Sequence, residues 1–249
     1  GKGRLKAAAC YVRILDAGQI PWNSTDPEVT MSKLADLFRR AAQRSPQSFG
    51  FGVAAANDQS PPAIVLIGLV EARGLARRSA LLEADVDAIL VDCGGKPMAK
   101  STAATLEGRL WGAGMSGFSE EAVKSLKGQG CDFLVFDPGS TSVTALSDDD
   151  LGSIIIVPPD LNRETARAIH AIRVTGAYLS SDLVGREITV ARLIELQRVR
   201  SLIDGPFVTM APESPTASDL TALRAAGVSG LAVRLEDEDA IGRLRDSMK

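Results

Sequence analysis

The stretch Gly130-Cys-Asp-Phe-Leu-Val-Phe-Asp-Pro-Gly139 carries the pattern from which the fold is predicted. It follows a helix-forming segment, residues 119–127, and it places a short apolar run before an acid and a turn. Gly130 can adopt the left-handed conformation with which a chain commonly leaves a helix. The run Phe133–Phe136 has the length of a short strand. The stretch therefore predicts one helix-to-strand passage of an alternating α/β protein.

The same pattern recurs from residue 64 to the end of the chain. Several of the apolar runs, such as Ile154–Val157, contain no polar residue, which is typical of parallel strands covered on both faces. Eight strand-and-helix units predict a closed (β/α)₈ barrel over residues 61–249. An open, doubly wound sheet is the alternative, because it is built from the same βαβ units. The expected strand starts are Ile64, Ala88, Leu110, Phe133, Ile154, Gly176, Phe207 and Leu231.

Each predicted strand is followed by a segment with helical features. Pro97 suits the first turn of the second helix, and Gly227 suits the left-handed end of the seventh. The expected helices span residues 74–84, 97–106, 119–127, 147–151, 163–172, 189–203, 217–226 and 238–248.

Residues 1–60 do not follow the alternating pattern. They contain one amphipathic helix, Leu34–Ala42, which Thr30 or Ser32 could cap. Because so short a segment with two breaks makes a weak core, we expect an N-terminal extension and not an independent domain. Its helix should bury Leu34, Leu37 and Phe38 against the barrel or a partner chain, so this extension could form a homo-oligomer or protein contact. The chain begins at Gly1, which would fit a trimmed or truncated N-terminus.

Composition excludes several classes of function. The 28 basic and 31 acidic residues give a net charge of −3, so there is no basic excess for nucleic acid. No apolar run is long enough to span a membrane. The three cysteines, Cys10, Cys93 and Cys131, stand far apart, which favours a reducing cytoplasm over a disulfide scaffold.

The candidate site lies at the carboxyl ends of the strands, where (β/α)₈ barrels hold their activity. Asp92 and Asp137 each follow an apolar strand directly and precede a turn with glycine, and Glu71 follows the first strand. These three acids are the candidate catalytic residues, and their oxygens could also hold Mg²⁺. The candidate substrate-binding residues are Lys96, Ser181, Asp182 and Arg234.

Each candidate also has a structural interpretation. Lys96, in Cys93-Gly-Gly-Lys-Pro97, could lie in an anion-binding loop, yet it could equally be a surface lysine in a turn. Asp160 suits a helix cap, and the acids from Glu236 onward suit the positive N-terminal end of the last helix.

Several mechanisms are excluded by what the sequence lacks. The single histidine, His170, lies within a predicted helix, which excludes histidine metal sites and Ser-His-Asp triads. After Cys131 the only lysine is Lys249, which excludes a Schiff-base lysine on the later strands. The loops after strands 7 and 8 are acidic and lack paired glycines, which argues against the phosphate site common in these barrels.

The stretch Leu220-Thr-Ala-Leu-Arg-Ala-Ala-Gly-Val-Ser-Gly230 resembles the last helix-to-strand passage of many (β/α)₈, or TIM-barrel, enzymes. This resemblance covers residues 64–249, concerns the fold alone and includes no signature motif of a particular family. Since one fold hosts many activities, it does not imply a function.

Two functions stay open on the sequence. One is a cytoplasmic TIM-barrel lyase or isomerase that uses the strand-end acids on a small organic substrate. The other is a non-catalytic barrel that serves as a scaffold or as a subunit of a larger complex, with residues 1–60 as its contact arm.

Overall fold

The computed structural model of the chain describes residues 32–43, 64–73, 75, 79–96, 98–148, 150–172, 174–180 and 188–248. Predictions about the remaining residues, Ser181 and Asp182 among them, lie outside this description.

Eight parallel strands close into one barrel in chain order, with β8 paired to β1. This confirms the predicted (β/α)₈ barrel, and the alternative of an open sheet is wrong. Every predicted strand start lies within two residues of the observed one. The strands are β1 Val65–Glu71, β2 Ala88–Asp92, β3 Trp111–Met115, β4 Phe133–Phe136, β5 Gly152–Val157, β6 Gly176–Leu179, β7 Phe207–Met210 and β8 Gly230–Arg234.

The described residues also form seven α-helices. Five of them begin at a serine, threonine or asparagine whose side chain accepts a hydrogen bond from a backbone N–H of the first turn, which is the usual N-cap arrangement. Gly130 and Gly227 have φ of +88° and +85°, so the predicted left-handed exits from α3 and α6 are confirmed. The helices are α1 Lys33–Gln43, α2 Lys100–Ala104, α3 Glu120–Lys127, α4 Arg163–His170, α5 Val190–Arg200, α6 Ala217–Ala225 and α7 Glu238–Met248.

The segment after β4 departs from the prediction. The helix expected over residues 147–151 is wrong, and a single 3₁₀ helix, Val143–Leu146, takes its place. The physical reason lies in the acids that follow it. Asp148 accepts a hydrogen bond from the Asp150 N–H at 3.1 Å, and Lys127 of α3 binds both carboxylates. These bonds hold the chain in a turn, because short acidic side chains compete with helical backbone bonding.

In the segments after β1 and β2, the described residues also contain less helix than expected. Between β1 and β2 the described residues contain a 3₁₀ helix, Ser79–Glu83, inside the predicted range 74–84. After β2, α2 occupies five residues of the predicted range 97–106.

Apolar residues form two separate cores. The outward faces of the strands and the helices share the larger one, which includes Trp111, Phe136 and Phe207. The smaller core fills the barrel, where inward residues such as Val65 and Phe133 pack together. Two cores divided by the sheet follow from the alternation of side chains along each strand.

Helix α1 closes the amino-terminal end of the barrel. Its Leu34 and Phe38, 0% and 4% exposed, belong to the inner core, which confirms their predicted burial, whereas Leu37 is partly buried. Ser32 caps the helix by accepting the Ala35 N–H at 3.2 Å. Asp132, just before β4, accepts the N–H groups of Lys33 and Leu34 at 2.8 and 2.9 Å. Asp132 thereby fixes the start of α1 to the foot of the barrel.

Glycine at the feet of two strands makes room for α1. A Cβ added to Gly152 would stand 2.6 Å from the Ser32 hydroxyl oxygen. A Cβ on Gly230 would stand 3.1 Å from the Phe38 ring. Larger residues at these positions would displace the helix, since packed interiors tolerate little added volume.

Candidate functional site

The strand ends present side chains to the interior of the barrel at every second residue. In β8, Ala232 belongs to the inner core, so Arg234 points inward at the mouth. By the same alternation, Asp92 at the end of β2 follows inward Leu90. Asp137 and Ser180 come one residue after β4 and β6, and each stands two residues after an inward side chain, Val135 and Tyr178.

The stagger of the strands decides which of these side chains share a level. Following register partners once around the barrel leads back to β1 eight residues nearer its start. This is the stagger of (β/α)₈ barrels, whose inward side chains stack in layers of four from alternate strands. From the mouth downward, three successive layers are Asp92, Asp137, Ser180 and Arg234; then Leu69, Gly114, Ile156 and Met210; then Leu90, Val135, Tyr178 and Ala232.

These layers form a bowl that is open to solvent. All four polar residues of the upper layer are exposed. The members of the next layer are partly exposed, as is Tyr178 beneath them, whereas Leu90, Val135 and Ala232 are buried. We call this concavity the mouth bowl. Its wall is the layer of Asp92, Asp137, Ser180 and Arg234, and its floor is formed by Leu69, Gly114, Ile156, Met210 and Tyr178.

Asp92 is held by its own turn and keeps one oxygen free. Its Oδ1 accepts the Gly94 N–H at 2.9 Å. Gly94 and Gly95 have φ of +57° and +81°, a conformation that glycine adopts without strain. Within the described part of the chain, Asp92 Oδ2 has no hydrogen-bond donor. The turn therefore orients the carboxylate and leaves Oδ2 available to a bound molecule.

Both oxygens of the Asp137 carboxylate accept hydrogen bonds, in contrast to Asp92. Its Oδ1 accepts the Gly139 N–H at 3.0 Å, and its Oδ2 accepts the Ser140 hydroxyl at 3.3 Å. The second bond is long and exposed, so a ligand could replace it. Asp137 and Arg234 stand on opposite strands of the barrel, β4 and β8.

Arg234 lies close enough to Tyr178 to act on its ionisation. Burial raises the pKa of Tyr178 to about 12, and the positive charge of Arg234 opposes this effect. The phenol is therefore protonated at neutral pH and serves as a hydrogen-bond donor. Neither side chain has a hydrogen-bond or ion-pair partner among the residues described here. The Tyr178 hydroxyl is not one of the buried polar atoms without a partner, so it reaches the solvent of the bowl.

The other predicted site residues stand at the rim or outside the description. Glu71 ends β1, is exposed and pairs in register with Asp92. Lys96 is exposed in the turn after Gly95, four positions before α2, so it does not stand at a helix start. Ser181 and Asp182 are not described, whereas the neighbouring Ser180 faces the bowl.

The three candidate acids do not meet at one point. Across the described ranges, no group of three His, Cys, Asp or Glu side chains could hold a metal ion. Glu71, Asp92 and Asp137 consequently do not form a preassembled Mg²⁺ site.

TIM barrels often bind phosphate in the loops after strands 7 and 8. Here, side chains of the protein cap the helix starts that follow these two strands. After β8, the carboxylate of Asp237 accepts the Ala240 N–H at 2.9 Å, and Glu238 and Asp239 follow in the first turn of α7. After β7, Thr216 and Asp219 cap α6 reciprocally. Because these helix starts already hold a hydroxyl or a carboxylate on one amide, their positive ends are partly compensated before any anion binds.

The cysteine thiols and the histidine do not contribute to the bowl. Burial raises the pKa of Cys93 to about 11, with a further contribution from Asp92, and burial raises that of Cys131 to about 12. Both thiols are therefore poor nucleophiles at neutral pH. His170 binds the Leu202 carbonyl at 3.0 Å and stands 3.3 Å from an Asp204 oxygen, near the amino end of β7. His170 therefore lies away from the carboxyl ends of the strands.

A second concavity lies on the outside of the barrel, between α3 and the 3₁₀ helix Val143–Leu146. It has a volume of about 350 Å³ and includes Glu120, Lys124 and Asp148. Lys124 is paired with Glu120, and Asp148 with Lys127, so these charges are already neutralised. This outer groove is separate from the mouth bowl.

Among the described residues, no helix is long and apolar enough to cross a membrane.

Signals for two of the bowl residues were present in the sequence. Ser180 lies two residues after Tyr178 and could have been preferred to Ser181 by strict alternation. Tyr178 could have been noticed as the one polar group of an otherwise apolar strand.

No protein-family model matches the chain, and no curated protein sequence matches it significantly. Solved structures do resemble it. A chain of Mycobacterium tuberculosis tryptophan synthase superposes with a TM-score of 0.61 at 16% identity, covering 88% of this chain and 98% of that one. A mutant (E103A) of the Pyrococcus furiosus tryptophan synthase α-subunit superposes with a TM-score of 0.53 at 12% identity, covering 74% of this chain and 96% of that one. Thiamine phosphate pyrophosphorylase from P. furiosus superposes with a TM-score of 0.50 at 16% identity, covering 74% of this chain and 95% of that one. At these identities the likeness shows the TIM-barrel fold alone.

Proposed function

We propose that the chain is a TIM-barrel enzyme, a lyase or isomerase, that moves a proton on a small organic molecule bound in the mouth bowl. The observation that carries this proposal is the open polar layer of Asp92, Asp137, Ser180 and Arg234 above an apolar floor. Binding sites of small molecules combine an apolar lining with a few convergent polar groups in this way. The known enzymes with similar structures support the fold only.

Asp92 has the role of general base. Its turn holds Oδ1, and Oδ2 of this exposed carboxylate has no donor among the described residues, so Oδ2 can take a proton from a substrate carbon. Return of the proton at another atom would complete an isomerisation, and departure of a leaving group would complete an elimination. Glu71, on the strand next to Asp92, and Asp137, two strands from Asp92 on the other side, are the acids that can return or relay the proton. Arg234, with Lys96 at the edge, binds the substrate, and so would Ser181 and Asp182.

The proposal requires no Mg²⁺. Within the described part of the chain the acids do not converge on one ion position. A Mg²⁺ ion held by Glu71, Asp92 and Asp137 would need those side chains to move together when the ion binds.

Hydrogen–deuterium exchange at carbon tests this function. The protein is incubated in D₂O with pools of small hydroxy, keto and amino compounds, and deuterium uptake is followed by mass spectrometry. A compound that exchanges should do so about 10²–10⁴-fold more slowly with Asp92→Asn, because the base is lost. Asp160→Asn is the matched control, since Asp160 is an exposed strand-end acid outside the bowl layers. Exchange by no compound, or undiminished exchange by Asp92→Asn, would refute the proposal.

The second candidate is a non-catalytic scaffold. It is favoured by the bonds that Asp92 and Asp137 form with the amides of their own turns. Under this alternative both acids serve stability, and Asp92→Asn and Asp137→Asn should lower the melting temperature without changing any binding. Under the enzyme proposal the same variants should keep the melting temperature or raise it slightly, because functional acids tend to cost stability.

A further inference from the structure

We infer that the mouth bowl selects a molecule that carries a carboxylate, and that Arg234 and Tyr178 together bind this group in preference to a phosphate. The inference rests on the proposed function for the location of the site. It adds the chemical class of the ligand and assigns a binding role to Tyr178.

Arg234 is the only cation in its layer and stands without a partner in the described part of the chain. Its neighbours in the layer are one serine hydroxyl and two carboxylates, each of which accepts a backbone N–H from its own turn. A guanidinium presents two parallel N–H groups that match the two oxygens of a carboxylate. An exposed arginine could instead be solvated, but Arg234 points into a concave space and not away from the barrel.

Tyr178 supplies a second donor beside Arg234. Because its phenol stays protonated up to a pKa of about 12, it can donate to an anion throughout the neutral range. Its hydroxyl reaches the bowl from the layer below, where Leu90, Val135 and Ala232 offer no polar group. Its hydroxyl reaches the solvent of the bowl and has no protein partner among the described residues, so an oxygen of a bound molecule can accept its hydrogen bond.

The charge of the bowl favours a singly charged anion. A phosphate carries close to two negative charges at neutral pH. In the layer that holds Arg234 it would face the carboxylates of Asp92 and Asp137, and Arg234 is the one cation of that layer. The helix starts that bind phosphate in other barrels already hold the Asp237 carboxylate and the Thr216–Asp219 cap. A carboxylate needs only Arg234 and Tyr178, and its carbon body can rest on Ile156 and Met210.

Three small molecules that share a benzyl group and differ in their charged group test this inference. They are phenylacetate, benzylphosphonate and benzylamine, and their binding to the full chain is measured by NMR chemical-shift titration. Phenylacetate should bind, and it should perturb the resonances of Tyr178 and Met210. Benzylphosphonate should bind at least about 10-fold more weakly. Equal or tighter binding of benzylphosphonate or benzylamine, or no binding of phenylacetate, would overturn the inference.

Variants link the binding to the two named residues. Arg234→Met should weaken phenylacetate binding by about 10-fold or more, and Tyr178→Phe by about 2- to 10-fold, the range expected for one hydrogen bond. Arg167→Met is the control, because Arg167 is exposed on the outer face of α4 and should leave binding unchanged. Unchanged binding by Arg234→Met would refute the assignment.

Asp92→Asn separates this inference from the proposed catalysis. It should retain phenylacetate binding while it slows exchange at carbon by about 10²–10⁴-fold. If no compound exchanges but phenylacetate binding still depends on Arg234, the bowl is a carboxylate-binding site without the proposed reaction. Binding that fails with Arg234 intact overturns the carboxylate assignment, whatever the exchange experiment shows.

Discussion

The helix that closes the foot of the barrel offers the sharpest test of the fold. Leu34 of α1 is fully buried in the inner core, among residues such as Val65 and Phe133. If α1 is an integral part of the barrel, Leu34→Ala leaves a cavity in this core. If α1 is a detachable arm, the same substitution costs little.

The expected loss follows from the burial of Leu34. Leu→Ala substitutions at fully buried sites lower the free energy of unfolding by about 2–5 kcal/mol, from lost transfer energy and the remaining cavity. Asp132 holds the start of α1 by two hydrogen bonds, and Ser32 lies closely against Gly152, so the helix cannot easily shift to fill the space. We therefore expect Leu34→Ala to lower the free energy of unfolding by about 3–4 kcal/mol. This is a large share of the total, because the free energy of unfolding of a typical protein is roughly 5–15 kcal/mol.

Urea unfolding followed by the fluorescence of buried Trp111 and by circular dichroism measures this loss. Leu37→Ala is the matched control, because Leu37 lies on the same helix and is only partly buried. Leu37→Ala should lower the free energy of unfolding by less than half as much as Leu34→Ala does. A loss below about 1 kcal/mol for Leu34→Ala, or equal losses for the two variants, would refute the integral role of α1.

Two further predictions concern buried polar groups. Arg192, 9% exposed, donates to Glu195 at 2.7 Å and to the buried Thr209 hydroxyl at 3.2 Å, so Arg192→Met should cost about 1–3 kcal/mol in urea unfolding by leaving acceptors unpaired. Thr209→Val added to Arg192→Met should recover part of that loss, and a purely additive double variant would contradict this explanation. The raised pKa values of Cys93 and Cys131 predict that a Cys10→Ser variant reacts with a thiol reagent at pH 8 only after unfolding. Rapid labelling of the native protein would contradict the burial. The thiols ionise near pH 9 in the unfolded chain and near 11 and 12 in the folded one. Their contribution to the free energy of unfolding should therefore be full below pH 9 and fall as the pH rises beyond it.

Most of the barrel could be predicted because its signals are local. Apolar runs such as Ile154–Val157 are strands wherever both faces are covered, and Gly130 and Gly227 are read from the residues next to them. The helix after β4 could not be predicted in this way. Its replacement by a 3₁₀ turn depends on Lys127, which binds Asp148 and Asp150 from a different helix.

The sequence by itself determined that the chain alternates strand and helix eight times, that it lacks the histidine and lysine of several known mechanisms, and that acids follow many strands. Only the tertiary structure decided which of these side chains share a space. A shift of one residue in a strand turns every side chain to the other face, and the stagger at closure places Asp92, Asp137, Ser180 and Arg234 in one layer. The same closure brings Tyr178 under Arg234 and seats α1 against Gly152 and Gly230. These contacts join residues far apart in the chain, and for that reason no local pattern contains them.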